Sequence, residues 1–233
     1  MEKTLCTAIV LAAGQGKRMG TEVQKQFLEL KEKPIIYYSL RTFEDSPLID
    51  SVILVTNQGN EAFCQKEIVD KYQFKKVHKI VTGGAERYHS VWNGLQEVEG
   101  GHVLIHDGAR PFLTEEIIVR VYETLQECRA CAVGMPVKDT IKMVDTEGYI
   151  VDTPDRNYVW QIQTPQAFET ELVKTAYAKL MTQSEIRVTD DAQVVEEMMY
   201  EDVKLVPGSY ENIKITTPED LGVAERFLEN STL

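Results

Sequence analysis

Short apolar runs alternate with longer amphipathic stretches along this chain. Residues 7–11, 51–55, 77–81, 102–106 and 131–136 are rich in Val, Ile and Leu and are bounded by small or polar residues, as buried strands of a parallel sheet are. Between them the apolar spacing widens to that of helices. One follows Pro34 over residues 35–40, with the proline in its first turn; others cover 61–72 and 87–98. Thr114-Glu115-Glu116 opens a further helix, with Thr114 as N-cap and two acids at the positive end. Later segments predict helices over 169–180, 188–199 and from Thr217-Pro218-Glu219 onward, strands over 203–206 and 212–216, and a turn at Thr164-Pro165-Gln166. This rhythm predicts an α/β fold, a doubly wound and mainly parallel sheet with helices on both faces.

The rhythm breaks between Val137 and Trp160. Residues 140–144 alternate, Asp145-Thr146-Glu147-Gly148 turns, and residues 149–152 alternate again, which predicts an inserted β-hairpin. A lone hairpin is marginal in water, so it needs a surface to cover it. A second copy of the chain is the simpler cover, and its own domain is the other. With no repeats or low-complexity linkers, residues 1–233 read as one domain carrying an arm at about 137–159.

The chemistry begins where the first strand ends. Gly14 and Gly16 let the backbone approach a ligand closely, and Arg18 and Lys25 follow. A strand opening into a cationic glycine loop is a phosphate cradle. The spacing is not that of a P-loop. Met19 stands where a dinucleotide fold needs its third glycine, and the second strand ends in Thr56-Asn57 without an acid. Two separated cations suit a triphosphate whose charge grows during reaction. The other strand ends add Gly83, Gly84, Arg87 and Ser90, then Asp107 and Arg110, and the second half of the chain adds Arg156, Thr164, Thr189, Asp191 and Lys214. Asp107, directly after an apolar strand, is either a turn cap or a seat for Mg²⁺; the neighbouring phosphate loops favour the metal. No Ser-His-Asp or Cys-His arrangement is evident, and the four histidines lack metal-ligand spacing.

Bulk composition narrows the partners. Thirty-seven acids against 25 bases give a net charge of −12, which argues against nucleic acid or an anionic membrane as the main partner but leaves small anionic ligands open. No apolar run approaches the ~20 residues of a membrane span. Cys6, Cys64, Cys128 and Cys131 lack a second pair or nearby histidines, and read as reduced thiols of a cytoplasmic protein.

Six ordered motifs run from the first strand to the last helix: L-A-A-G-Q-G-K-R-M-G with K-Q-F, G-G-A-E-R-Y-H-S-V, H-D-G-A-R-P-F, Q-T-P-Q-A-F, T-D-D-A and N-I-K-I-T-T-P-E-D-L. Together they resemble the 2-C-methyl-D-erythritol 4-phosphate cytidylyltransferases of the non-mevalonate isoprenoid pathway. The resemblance implies a Rossmann-like nucleotidyltransferase sheet, and attack by the phosphate of the acceptor on the α-phosphorus of CTP, with release of pyrophosphate. It implies that Arg18 and Lys25 stabilise the transition state and that Asp107 holds Mg²⁺. It places Ala12, Ala13, Gly14, Gly84 and Ser90 around the nucleotide, with Gly16 and Arg87 on the same side. It assigns Arg156 and Lys214 to the methylerythritol phosphate, with Thr140, Thr164, Thr189 and Arg110 nearby. It also implies a homodimer interlocked through the arm, so that Thr140 serves the neighbouring site. Ala85 departs from the pattern, where relatives carry a polar residue beside the base.

Three rivals differ in testable ways. A cytidylyltransferase for another polyol phosphate, such as ribitol 5-phosphate, would share the nucleotide motifs. A nucleotide-binding regulator without turnover would lack Arg18, Lys25 or Asp107. A nicotinamide oxidoreductase would need the missing acid after the second strand.

Overall fold

The computed structural model describes residues 4–14 and 24–230. In chain order it runs β1 (Cys6–Ala12), a 3₁₀ turn (Lys25–Phe27), the short hairpin β2 (Glu29–Leu30) and β3 (Lys33–Pro34), α1 (Ile35–Asp45) and β4 (Ser51–Thr56). Next come α2 (Glu61–Phe63), continued as a π-helical stretch (Cys64–Asp70), then β5 (Val77–Thr82), α3 (Arg87–Leu95), β6 (His102–Asp107), α4 (Glu115–Thr124) and β7 (Ala130–Pro136). The arm is β8 (Met143–Val144) with β9 (Ile150–Asp152), followed by a 3₁₀ turn (Arg156–Tyr158). The chain ends with β10 (Trp160–Glu169), α5 (Thr170–Leu180), α6 (Asp191–Met199), β11 (Lys204–Pro207) and α7 (Pro218–Asn230).

Seven strands form one sheet in the order β11-β7-β10-β6-β1-β4-β5. All neighbours pair in parallel except β10, which runs antiparallel to both β6 and β7. Strand alternation divides the core between two faces. Ala8 and Val10 of β1 pack with Ile36, Leu40 and Phe43 of α1 and with Ile117 and Val121 of α4. Ile9 faces the other way, toward Val91 and Leu95 of α3, Leu172 and Tyr177 of α5, and Val194 of α6. A smaller cluster joins Leu30, Ile35, Phe112 and Ile215 to Ala224 of α7.

Two sequence expectations fail in the second half. Thr164-Pro165-Gln166 is not a turn: it lies inside β10, where the register shifts between Ile162 and Gln166 and the Thr164–Pro165 bond is cis. A proline offers no N–H to a ladder, so the strand bulges there and resumes. Residues 212–216 are not a strand either. Ile215 donates its N–H to the Ala109 carbonyl and its side chain is fully buried, so the alternation there records burial rather than sheet pairing. Ends also move: α3 stops at Leu95, and α6 starts at Asp191, with Asp190 as N-cap accepting from the Gln193 N–H at 2.9 Å.

The arm pairs Val144 with Ile150 across its turn, where Asp145 Oδ1 accepts the Glu147 and Tyr149 N–H groups. Met143, Val144, Tyr149, Ile150 and Val151 are all more than half exposed.

Candidate active site

The carboxyl ends of β1, β4, β5 and β6 open onto one cleft of about 470 Å³. Gly14, Ala13, Lys25, Gly84, Arg87, Ser90, Asp107 and Lys214 line it. Gly16 and Arg18 lie outside the described residues.

Gln26 ties the first loop to the sheet. It is buried, and its amide donates to the carbonyls of Ala12 and Gly14. The 3₁₀ turn it sits in brings Lys25 back to the cleft, where Nζ donates to the Ile215 carbonyl at 2.9 Å. On the opposite wall, Gly83 is held to Thr56 by its N–H at 2.7 Å, and Gly84 donates its N–H to Ser90 Oγ at 3.1 Å. A Cβ on Gly83 would stand 2.5 Å from the Ala13 Cβ, so the two loops touch only because that side chain is absent.

Asp107 is the floor. Lys214 Nζ approaches its Oδ2 at 2.7 Å, Arg87 Nε its Oδ1 at 3.4 Å and Arg110 Nε its Oδ2 at 3.9 Å. Burial alone would push this carboxyl up; Arg87, Lys214 and Arg110 outweigh burial and hold it well below the usual carboxylate range. Arg87 is itself clamped by Asp191 through Nη1 and Nη2 at 2.8 and 2.7 Å. Burial works against its charge, and Asp191 and Asp107 more than compensate, so its pKa lies well above the ordinary arginine value.

Beneath the floor, hydrogen bonds run in one direction. His106 Nε2 faces the Arg110 carbonyl at 3.1 Å, so it carries the proton. Nδ1 therefore accepts from Thr164 Oγ1 at 3.1 Å, and that oxygen accepts the Asp107 N–H at 3.0 Å. Burial pushes His106 down to about 4, in keeping with a neutral ring. Arg110 completes the frame by donating to the Asn212 carbonyl at 2.7 Å, while the Asn212 amide donates to the Thr164 carbonyl at 2.9 Å. Arg110 and Thr164 thus meet Asp107 without lining the cleft.

Three predicted residues stand apart from it. Thr140 and Arg156 are exposed on the arm, Arg156 donating to the Lys138 carbonyl at 3.3 Å. Thr189 is exposed ahead of α6, with N–H and hydroxyl on Gln193 Oε1. The cleft also includes Gln26, Asn57, Glu86 and Thr216, which the sequence reading did not select. Gln26 was legible beside Lys25 in K-Q-F; the others carried no signal beyond following a strand or glycine.

Chemically the cleft offers the ammonium groups of Lys25 and Lys214, the Arg87 guanidinium, backbone N–H groups at glycine loops, the hydroxyls of Ser90 and Thr216 and the carboxylates of Asp107 and Glu86. That suits an anionic ligand. Among the described residues no group of three or more His, Cys, Asp or Glu stands together. A hard cation here would take Asp107 together with oxygens of the ligand, the donor set Mg²⁺ uses with nucleotides. Asp107 fits: it is ionised, and its side chain is 11% exposed to the cleft.

The family model for 2-C-methyl-D-erythritol 4-phosphate cytidylyltransferase matches residues 6–230. An enzyme of that name from Lachnospira eligens is 50% identical over 225 residues, covering 96% of this chain and 99% of its own. Its namesake from Caldanaerobacter subterraneus is 46% identical over 224 residues, 95% of this chain and 98% of its own. Among solved structures, a 4-diphosphocytidyl-2C-methyl-D-erythritol synthase from Anaerococcus prevotii superposes with a TM-score of 0.85 at 35% identity, covering 98% of this chain and all of its own. By sequence and by fold, the chain belongs to the 2-C-methyl-D-erythritol 4-phosphate cytidylyltransferase family.

Proposed function

We infer that this chain is a nucleotidyltransferase that moves CMP from CTP to 2-C-methyl-D-erythritol 4-phosphate. The products are 4-diphosphocytidyl-2-C-methyl-D-erythritol and pyrophosphate. The observation that carries this is the meeting of Lys25, Lys214 and Asp107 in one cleft, under two glycine loops, in a chain of that family.

The acceptor phosphate supplies the attacking oxygen, so no protein nucleophile is required and catalysis is positioning plus charge neutralisation. A phosphate oxygen bonds to the α-phosphorus as the bond to pyrophosphate breaks. Lys25 faces the negative charge that builds on the phosphoryl oxygens, with Arg18 as its partner in the loop outside the described residues. Ala12, Ala13, Gly14, Gly84, Arg87 and Ser90 are assigned to the nucleotide side of the site, as is Gly16, which lies outside the described residues. Lys214 lies on the acceptor side, and Arg110 and Thr164 support Asp107 from beneath. Thr140, Arg156 and Thr189, which stand apart from the cleft, are assigned to the acceptor by the family resemblance alone. When bound with the triphosphate, Mg²⁺ supplies further neutralisation of phosphate charge, and Asp107 is the residue that would hold it.

The exposed apolar arm supports a homodimer in which Thr140 and Arg156 reach a neighbouring cleft. A cytoplasmic setting is supported by four cysteines that are all free thiols. No described helix is long and apolar enough to cross a membrane.

Pyrophosphate release from CTP, measured with 2-C-methyl-D-erythritol 4-phosphate and with ribitol 5-phosphate, tests the assignment. Release with the first acceptor alone is expected. Equal or faster release with ribitol 5-phosphate would transfer the assignment to that substrate.

A further inference from the structure

Arg87 is the first residue of α3, and Asp191, 104 positions on, is the first of α6. The guanidinium gives Nη1 and Nη2 to the two Asp191 oxygens and turns Nε toward Asp107 Oδ1. Three of its five N–H groups therefore point at carboxylates of the protein. Tyr177 of α5 stands behind, its hydroxyl donating to Asp191 Oδ1 at 2.6 Å. Asp191 and Tyr177 are both 0% exposed, so neither meets a ligand.

Helix stability does not explain the arrangement. A cation in the first turn sits at the positive end of the macrodipole. A buried ion pair is often no more stabilising than apolar residues of the same volume. What the pairing does is local. Asp107 Oδ1 is held by Arg87 and Oδ2 by Lys214, with Arg110 Nε at 3.9 Å, and of the three cations Arg87 is the one clamped by a second, fully buried carboxylate.

We propose that Asp191, braced by Tyr177, is a positioning residue: it holds Arg87 so that the guanidinium sets the orientation of the Asp107 carboxylate, tying α5 and α6 to the triphosphate end of the cleft. The proposal rests on the cytidylyltransferase reading through the part Asp107 plays toward nucleotide-bound metal. Without the Asp191 charge, Arg87 is drawn onto Asp107 and competes with a cation for it.

The test uses the full chain with Asp191→Asn and Tyr177→Phe. Mn²⁺ binding in the presence of CTP is read by electron paramagnetic resonance, kcat at saturating substrates by pyrophosphate release, and folding by thermal unfolding. Asp191→Asn is expected to weaken Mn²⁺ binding about tenfold or more and to lower kcat, as loss of an outer partner of a metal ligand does. Tyr177→Phe is expected to shift both in the same direction by less. Variants that lose thermal stability while keeping wild-type Mn²⁺ affinity and kcat would overturn the proposal. If Asp191→Asn does not fold, Tyr177→Phe decides by the same two readouts. A wild-type protein that binds Mn²⁺ and CTP yet transfers nothing to the sugar phosphate would instead defeat the functional reading, and the Mn²⁺ comparison would still decide this one.

Discussion

Lys214 Nζ lies 2.7 Å from Asp107 Oδ2, joining an irregular segment near the C-terminus to the end of a central strand. With Arg87 and Arg110 it places three cations around one carboxylate. Asp107→Asn leaves those cations facing one another. Turnover is expected to fall at least about 100-fold, and stability by about 2 kcal/mol, discounted for the solvent that reaches Lys214 and Arg87. The folded carboxyl titrates below its ordinary value near 3.8, so its contribution is complete above that value and fades as pH falls below it. The wild-type advantage in denaturant unfolding should therefore be constant from about pH 8 to 5 and shrink below about 4. A gap that does not change with pH would refute the coupling.

His106 gives the opposite ionisation with the same sign. Burial lowers it from 6.5 to about 4, so between those values the unfolded chain takes up a proton that the folded chain refuses. Acidification across that window should cost about 3 kcal/mol of folding free energy. His106→Asn cannot titrate, and its stability should fall less steeply over the same range. Parallel curves for the two proteins would show that the ring is not the group responsible.

Lys25→Ala should keep the fold, since the side chain makes its cleft contact with the Ile215 carbonyl and fills no core. Its loss removes a preorganised cation, expected to lower kcat by about 10²–10³-fold. Wild-type turnover in a steady-state assay would remove Lys25 from the chemistry.

Much of this was legible because burial writes itself into short sequence windows. Strands β1, β4 and β6 are apolar runs that end in the cleft, and Gly83-Gly84 announces a close approach that the Ala13 contact explains. The pairings were not legible. Nothing local in Arg87 points to Asp191, and Tyr177 reads as one more apolar position on α5. Strand β10 was hidden because proline usually ends a strand, and here it only bulges one. Residues 212–216 misled in the reverse sense, since Ile213 and Ile215 alternate without a partner strand.

Arg156 stands exposed on the arm and does not line its own chain's cleft, which makes sharing between subunits measurable. Arg156→Ala alone should chiefly raise KM for the sugar phosphate. In an interlocked dimer, mixing Arg156→Ala with Lys25→Ala places one intact and one doubly defective site in each mixed pair. Random exchange should then restore about a quarter of wild-type activity, assayed below the variant's KM. Absence of recovery, with exchange verified, would mean that Arg156 acts within its own chain or not at all.

Gly83 should be intolerant of a side chain for reasons of space. An added Cβ would come within 2.5 Å of the Ala13 Cβ and 2.7 Å of Ser90 Oγ. The alanine methyl cannot rotate away, because it moves only with the end of β1. Gly83→Ala must therefore part the two glycine loops, at a cost of about 1–3 kcal/mol for overpacking. The parted loops should also raise KM for CTP. Gly222 is the control: it lies within α7, where an added Cβ meets nothing within 4 Å. Gly222→Ala should raise stability by about 0.5–1 kcal/mol through helix propensity and leave KM for CTP unchanged. If Gly83→Ala unfolded at the wild-type denaturant midpoint and bound CTP as tightly as the parent, the contact between the loops would not be what shapes the nucleotide side of the cleft.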